Sequence, residues 1–198
     1  PQIILANQPA LAENVIRHAP TASGVGTIEY VRSGWINAGG VKTRGADLGL
    51  RGDGKVNDTK WSAALDGTWT QSFKFAELAG QEYKEYVGKF FTRDLYLRWK
   101  HNASIGMSRG NWSALLSQNF STGYKDQVPN GGKGTPPAGF DPDVSSYTKF
   151  GLSGTYTGFK NTSITLGILN LFDRDPPFTA HNVDEVVGAG WDPRVADP

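Results

Sequence analysis

Apolar and polar side chains alternate with a period of two along several stretches of this chain, as in a β-strand with one apolar face. The clearest stretch is 61–70. Trp61, Ala63, Leu65, Gly67 and Trp69 fall on one face, and Ser62, Ala64, Asp66, Thr68 and Thr70 on the other. Residues 43–51 set Ala46, Leu48 and Leu50 against Asp47, Gly49 and Arg51. Leu95, Leu97 and Trp99 alternate with Asp94, Tyr96, Arg98 and Lys100, and Trp112, Ala114, Leu116 and Phe120 oppose Ser113, Ser117 and Asn119. Phe150, Leu152 and Tyr156 mark a further apolar face, followed by Thr162, Ile164, Leu166 and Ile168 against Ser163, Thr165 and Gly167. A short β-rich stretch, 27–32, precedes them. The pattern predicts an irregular segment over 1–25, with a short helix possible in 9–19, and then about six or seven strands over 26–198.

The connections alternate in size. Gly, Asn and Asp mark turns at 52–58, 107–111 and 158–161, whereas long polar or Gly/Pro-rich segments occupy 33–41, 74–91 and 123–145. After the last strand Asp173-Arg-Asp-Pro-Pro ends any ladder, because proline removes a backbone donor, and one further short strand is expected near 183–187. Strands joined this way are up-and-down neighbours with short turns at one end and longer loops at the other, the build of an outer-membrane barrel. Aromatic residues near the strand ends, Trp61, Trp69, Phe73, Trp99, Trp112, Phe120, Phe159 and Phe172, suit the two membrane interfaces. A soluble β-sandwich gives the same alternation, its apolar face meeting a second sheet. The polar faces, with Asp66, Thr68, Asp94, Arg98 and Lys100, lean toward a wet lumen.

Composition narrows the function classes. The 198 residues carry a net charge of +1 and no cysteine, so there is no disulfide framework or thiolate metal site, and no basic stripe that would make nucleic acid a partner. No apolar run approaches the ~18 residues of a membrane-spanning helix, and Pro1-Gln2-Ile3 does not open a signal peptide. Barrel strands are only half apolar, so low hydropathy does not argue against them.

Candidate chemistry is sparse. His18, His101 and His181 lack metal-ligand spacing and are expected to be solvated loop or lumen residues. The acidic pairs Asp141/Asp143 and Asp173/Asp175 offer at most a weak calcium site in a loop, since a D-x-D pair without further ligands is common, and the second is expected to cap a turn. No nucleophile elbow, phosphate loop or dinucleotide fingerprint occurs. No catalytic residue, metal or cofactor is expected, and the chain does not look like an enzyme. Asn-x-Ser/Thr sequons at Asn57, Asn102, Asn111, Asn119 and Asn161 fall mostly in Ser/Thr-rich strands, so coincidence explains them. Exposed loop aromatics, Trp35, Tyr83, Tyr86, Tyr124 and Trp191, are the candidates for ligand contact.

One family resembles the chain along nearly its whole length. Asn170-Leu-Phe-Asp-Arg-Asp-Pro-Pro-Phe178, followed by Trp191-Asp-Pro-Arg-Val, resembles the C-terminal region of TonB-dependent outer-membrane receptors. Thr43-Arg-Gly-Ala-Asp-Leu, Asn111-Trp-Ser-Ala-Leu-Leu, Gly123-Tyr-Lys-Asp and Ser146-Tyr-Thr-Lys-Phe are similar, in order, to earlier strands of that family. The resemblance implies an all-β, antiparallel up-and-down meander that forms part of a transmembrane β-barrel, an open curved sheet if isolated. It implies a place in the outer membrane of a Gram-negative bacterium, in contact with outer-membrane lipid. It also implies uptake of a scarce nutrient, a ferric siderophore, vitamin or oligosaccharide, driven through the TonB–ExbB–ExbD complex. The family's plug domain, its TonB box and its last, aromatic-ended strand are not matched. A soluble β-sandwich module for carbohydrate is the alternative.

Overall fold

The computed structural model describes residues 2–6, 9, 11–20, 22, 24–34, 39–91, 94–127, 135–136, 138–181 and 190–196. It divides into two compact units, Pro1–Gly39 and Gly40–Pro198. In the first, a short helix α1 (Gln2–Ala6) is followed by a 3-10 turn (Ala12–Asn14) and the strands β1 (Val15–Arg17) and β2 (Ile28–Val31). The expected helix over 9–19 is not there beyond that one turn. Val15, Ile16 and Arg17 pair antiparallel with β2 instead, and β-branched residues favour that outcome.

The second unit is built on one antiparallel sheet. Its long strands are β3 (Gly40–Val56), β4 (Thr59–Ala76), β8 (Trp99–Arg109), β9 (Trp112–Ser121), β12 (Tyr147–Phe159) and β13 (Thr162–Ile168). Between them lie the two-residue strands β5 (Lys84–Glu85), β6 (Phe90–Phe91), β7 (Asp94–Leu95), β10 (Tyr124–Lys125) and β11 (Asp143–Val144). The order across the sheet is β13-β12-β9-β8-β4-β3, with β5 on the end of β4. Sequence neighbours are sheet neighbours throughout, the meander the alternation predicts. The sheet is open: β3 and β13 are its edges.

The strands run further than expected, and the turns are tighter. The segment 52–58 is not a turn as a whole: β3 continues to Val56 and only Asn57-Asp58 reverse the chain, Asn57 taking φ +53°. Likewise only Gly110-Asn111 separate β8 from β9, with Gly110 at φ +57°, where glycine has no Cβ to clash. The strand expected over 94–100 is displaced. Asp94 and Leu95 pair with Phe90 and Phe91, while β8 begins at Trp99 and carries its alternation on through Ala103, Ile105 and Met107. Serine, asparagine and glycine there thin the apolar signal without ending the ladder. The strand expected near 183–187 lies outside the described residues.

Register sorts the side chains into two faces. One bears Leu48, Leu50, Leu65, Ala63, Ile105, Leu116, Leu152, Ile164, Leu166 and Ile168. It is exposed: Leu50 and Ile105 are each 54 % accessible, and Leu166 is 76 %. Aromatic residues bound it at both ends. Trp69 pairs with Trp99 at the end of the long connections, His101 pairs with Phe120 one step nearer the band, and Phe150 meets Phe172 edge to face. Trp61, Trp112, Tyr156 and Phe159 lie at the end of the short turns, Trp112 and Tyr156 with ring centroids 4.5 Å apart. From Trp61 to Trp69 is eight residues, about 27 Å along a strand. At a barrel tilt that becomes a band roughly 20 Å tall, close to the apolar belt of an outer-membrane barrel. Gly67 has a specific part here. The Trp99 ring lies across it, and an added Cβ would stand 2.2 Å from that ring.

A β-bulge ends the band. Arg44 pairs with Ser72 and Gly45 with Thr70, so Gln71 is an extra residue on β4. Arg98 donates to the carbonyls of Thr70 and Gln71, at 3.2 and 2.6 Å. The insertion reverses the faces beyond it. Phe73, expected as an interfacial ring beside Trp69, turns to the opposite face and stacks on Tyr96 with centroids 3.5 Å apart.

Candidate functional site: the inner wall and its cap

The second face of the sheet is a polar wall. Its rows read Asp47, Thr68, Lys100, Ser121, Tyr147, and next Gly49, Asp66, Asn102, Asn119, Lys149. Further rows carry Arg51, Ser104 and Ser117, then Asp53, Ser62 and Ser153, then Lys55, Lys60, Ser108, Ser113 and Thr155. Neighbours satisfy one another across strands. Arg51 donates both ways to Asp66, at 2.9 and 2.7 Å, and the Thr68 hydroxyl donates to Asp47 at 2.8 Å. Both members of the Arg51–Asp66 pair are more than half exposed, so water screens it and it contributes little stability. Its use is to hold charge on this face.

At the end of the long connections, a cavity of about 630 Å³ lies on this wall, lined by Asp47, Asp66, Lys100, Asn102, Asn119 and Lys149. Residues 190–196 reach it: Arg194 and Val195 line the same cavity, and the Ser121 hydroxyl donates to the Val195 carbonyl at 3.3 Å. What fixes this segment is a buried ionic network. His181 sits between Asp126, 2.5 Å from its Nδ1, and Asp192, 3.1 Å from its Nε2. The side chains of His181 and Asp192 are wholly buried, and Asp126 nearly so. Arg194 donates to Asp192 through Nε at 2.9 Å and a terminal nitrogen at 2.6 Å. The Thr179 hydroxyl and the Ala180 amide donate to the other oxygen of Asp126, at 2.7 and 2.6 Å. Phe90 stacks on His181 with centroids 3.6 Å apart, on the edge of the apolar cluster of Phe90, Tyr124 and Val144.

Charge balance follows from this geometry. Burial alone would lower the His181 pKa, but hydrogen bonds and charge from Asp126 and Asp192 outweigh it and raise it above the ordinary imidazole value. Burial would raise both carboxyls, yet His181, with Thr179 for Asp126 and Arg194 for Asp192, holds them below the ordinary carboxylate range. Two anions meet two cations, and the group is neutral as a whole. Buried charges are tolerated only when paired in this way.

His181 is therefore not the solvated histidine expected. Nor is His101, which lies half-buried in the outer aromatic row, accepting from Trp99 Nε1 at 2.8 Å and stacked near Phe120. The turn after β13 is capped by Asn170 and not by Asp173 or Asp175: its amide brackets Arg174, accepting from the backbone N–H at 3.0 Å and donating to the carbonyl at 3.1 Å. Of the loop aromatics, Tyr124 is only 5 % accessible and cannot be an open platform. Tyr83 lies beneath the Lys42 ammonium, 4.0 Å from the ring centroid. Tyr86 and Trp191 are half-buried, and Trp35 lies outside the described residues. The structure does not gather these rings into one platform. Sequence reading missed Asp126, Thr179, Asp192 and Arg194. The only local hint was the Asp192-Pro-Arg194 fork within the C-terminal motif.

An open antiparallel meander with an exposed apolar band between two aromatic rows, and a polar opposite face, is the wall of a membrane β-barrel. Residues 12–171 match the TonB dependent receptor-like, beta-barrel family, and the chain belongs to it. No curated protein and no solved structure matches the chain. The family's members are outer-membrane receptors for nutrient uptake in Gram-negative bacteria, coupled to TonB, and not an enzyme family. The soluble sandwich alternative falls with the family match.

Proposed function

We propose that this chain forms part of the wall of a receptor that imports a scarce nutrient, a ferric siderophore, a vitamin or an oligosaccharide, with energy relayed from the TonB–ExbB–ExbD complex. The observation that carries the proposal is the opposite chemistry of the sheet's two faces, sorted by register over six strands. The apolar band meets outer-membrane lipid. The polar wall lines the passage, and its hydroxyls, amides and charges suit hydrated ligands better than greasy ones. The long connections face the outside, where the segment pinned by His181 narrows the mouth over the Asp66–Lys149 region. Tyr86 and Trp191 remain the candidates for ligand contact among the described loop aromatics, and Trp35 on its sequence alone, whereas Tyr83 lies under Lys42. No covalent chemistry is required of any of them.

Uptake of labelled ferric siderophores, cobalamin and oligosaccharides by cells carrying the receptor tests this, with and without a working TonB. Accumulation of one class that collapses without TonB is the expected result. Uptake indifferent to TonB for every class, or a native receptor that stays soluble without detergent, overturns it.

A further inference from the structure

Above the outer aromatic row, the lipid-facing side of the sheet becomes basic. On β3 no residue is inserted, so Lys42 and Arg44 keep the same face as Ala46, Leu48 and Leu50. On β4 the bulge at Gln71 brings Ser72 and Lys74 to that face, paired with Arg44 and Lys42. The result is three exposed cations directly above Trp69 and Trp99, around an open cleft of about 720 Å³ lined by Lys42, Arg44, Gln71, Ser72, Lys74 and Glu85. Glu85 is the one carboxylate among them, and its oxygens are already engaged by the Ser72 hydroxyl and the backbone amides of Phe73, Tyr86 and Val87. Lys42 is held over the Tyr83 ring. Three cations to one saturated carboxylate leave a net demand for an anion.

We propose that Lys42, Arg44 and Lys74 dock the phosphorylated headgroup of a membrane lipid against the outside of the barrel. The inference rests on the reading above, in which the apolar band lies in the bilayer. Headgroups then lie at the level of the bulge, just beyond the aromatic row. A guanidinium and two ammonium groups match phosphate oxygens in charge and in donor geometry. Position selects a lipid over a soluble phosphate. By register the three cations stand on the face of Leu48 and Leu50, away from the polar wall where a transported solute passes. An anion anchored by acyl chains gains from that shared face, and a free one does not. The bulge is the device that makes this possible, since unbroken alternation would place Phe73 and Phe75 on this side.

The test reconstitutes the receptor carrying this segment in nanodiscs of zwitterionic lipid with a minor share of phosphatidic acid, and counts retained lipid by native mass spectrometry. Wild type is expected to retain phosphatidic acid preferentially. Removing one cation, in Arg44→Gln or Lys74→Gln, weakens retention about fivefold, and the triple Lys42→Gln/Arg44→Gln/Lys74→Gln on the order of a hundredfold. Unchanged selectivity in the variants, or displacement of the lipid by millimolar inorganic phosphate, overturns the proposal. If the triple variant folds poorly, the single variants decide it. Failure of the wild type to enter a bilayer at all would instead strike the barrel reading on which this rests.

Discussion

A neutral imidazole has one N–H to give, and His181 faces a carboxylate at each ring nitrogen. Only the imidazolium can donate to both, so deprotonation leaves one buried carboxylate against a lone pair. The pH dependence of the cap follows from the directions of the shifts. His181 is raised in the folded state, so its contribution is complete below the ordinary imidazole value, about 6.5, and is lost as pH rises through the folded value. Asp126 and Asp192 are lowered, so theirs is complete above the ordinary carboxylate value, about 4, and is lost only as pH falls through their folded values. Protection of residues 190–196 from protease is therefore expected to be greatest at roughly pH 4–6.5 and to fall in alkaline buffer. A profile that instead rises with pH above 7 would contradict a charged His181. Asp192→Asn removes one anion and leaves Arg194 and His181 facing a neutral amide. A loss of about 3–5 kcal/mol in local opening is expected for a broken buried pair, read by hydrogen exchange in the segment. Asp126 and Asp192 each fall in a stretch that resembles the family, but nothing in those stretches relates them to one another or to His181. Only the fold of the long connections brings them together.

Strands are where the sequence spoke most clearly, and the bulge is where it misled. Period-2 alternation located all six long strands at least in part, because one side of each is apolar and the other polar. It misplaced boundaries where small residues dilute the signal, as at Ser104, Gly106 and Ser108 on β8. It also placed Phe73 beside Trp69, since an inserted residue shifts the phase without altering composition. Arg98 holds that insertion by donating to two carbonyls. Arg98→Ala is expected to cost about 1–2 kcal/mol, the usual scale of hydrogen bonds from a charged donor after solvent exposure is allowed for. A urea midpoint measured in detergent micelles checks it, and no shift would mean the bulge stands without Arg98. Within the band, Leu65 lies midway between Trp61 and Trp69, with Leu50 and Ala103 as its cross-strand partners. Leu65→Arg is expected to destabilise the folded protein in a bilayer by about 2–4 kcal/mol. Thr68→Arg, on the polar wall beside Asp47, is expected to be markedly milder. Equal costs would mean the two faces are not lipid and lumen.

For the whole molecule the question is which side of the sheet meets lipid, and where along the strands that contact ends. The chain has no cysteine, so single cysteines introduced one at a time are the only thiols in this segment. Three sets are distinguished by the register. Leu50→Cys, Ile105→Cys and Leu116→Cys lie on the apolar face between the aromatic rows, and are expected to be unreactive toward a charged, membrane-impermeant maleimide when the receptor is in a bilayer. Asp66→Cys, Asn102→Cys and Asn119→Cys lie on the opposite face at comparable heights, and are expected to react or to become reactive when the lumen is opened with urea. Lys42→Cys and Lys74→Cys carry the decisive contrast. Continued alternation along β3 keeps Lys42 on the side of Leu50, so a soluble sandwich whose apolar face is covered by protein would shield the two together. A barrel wall that leaves the membrane at Trp69 and Trp99 predicts the reverse: Leu50 blocked by lipid, and Lys42 and Lys74, one aromatic row higher on the same side, open to water. Transfer from bilayer to a short-chain detergent should then expose Leu50 progressively while leaving Lys42 unchanged. Labelling of Lys42 and Leu50 to the same extent in bilayers would remove the outer boundary on which the membrane placement depends.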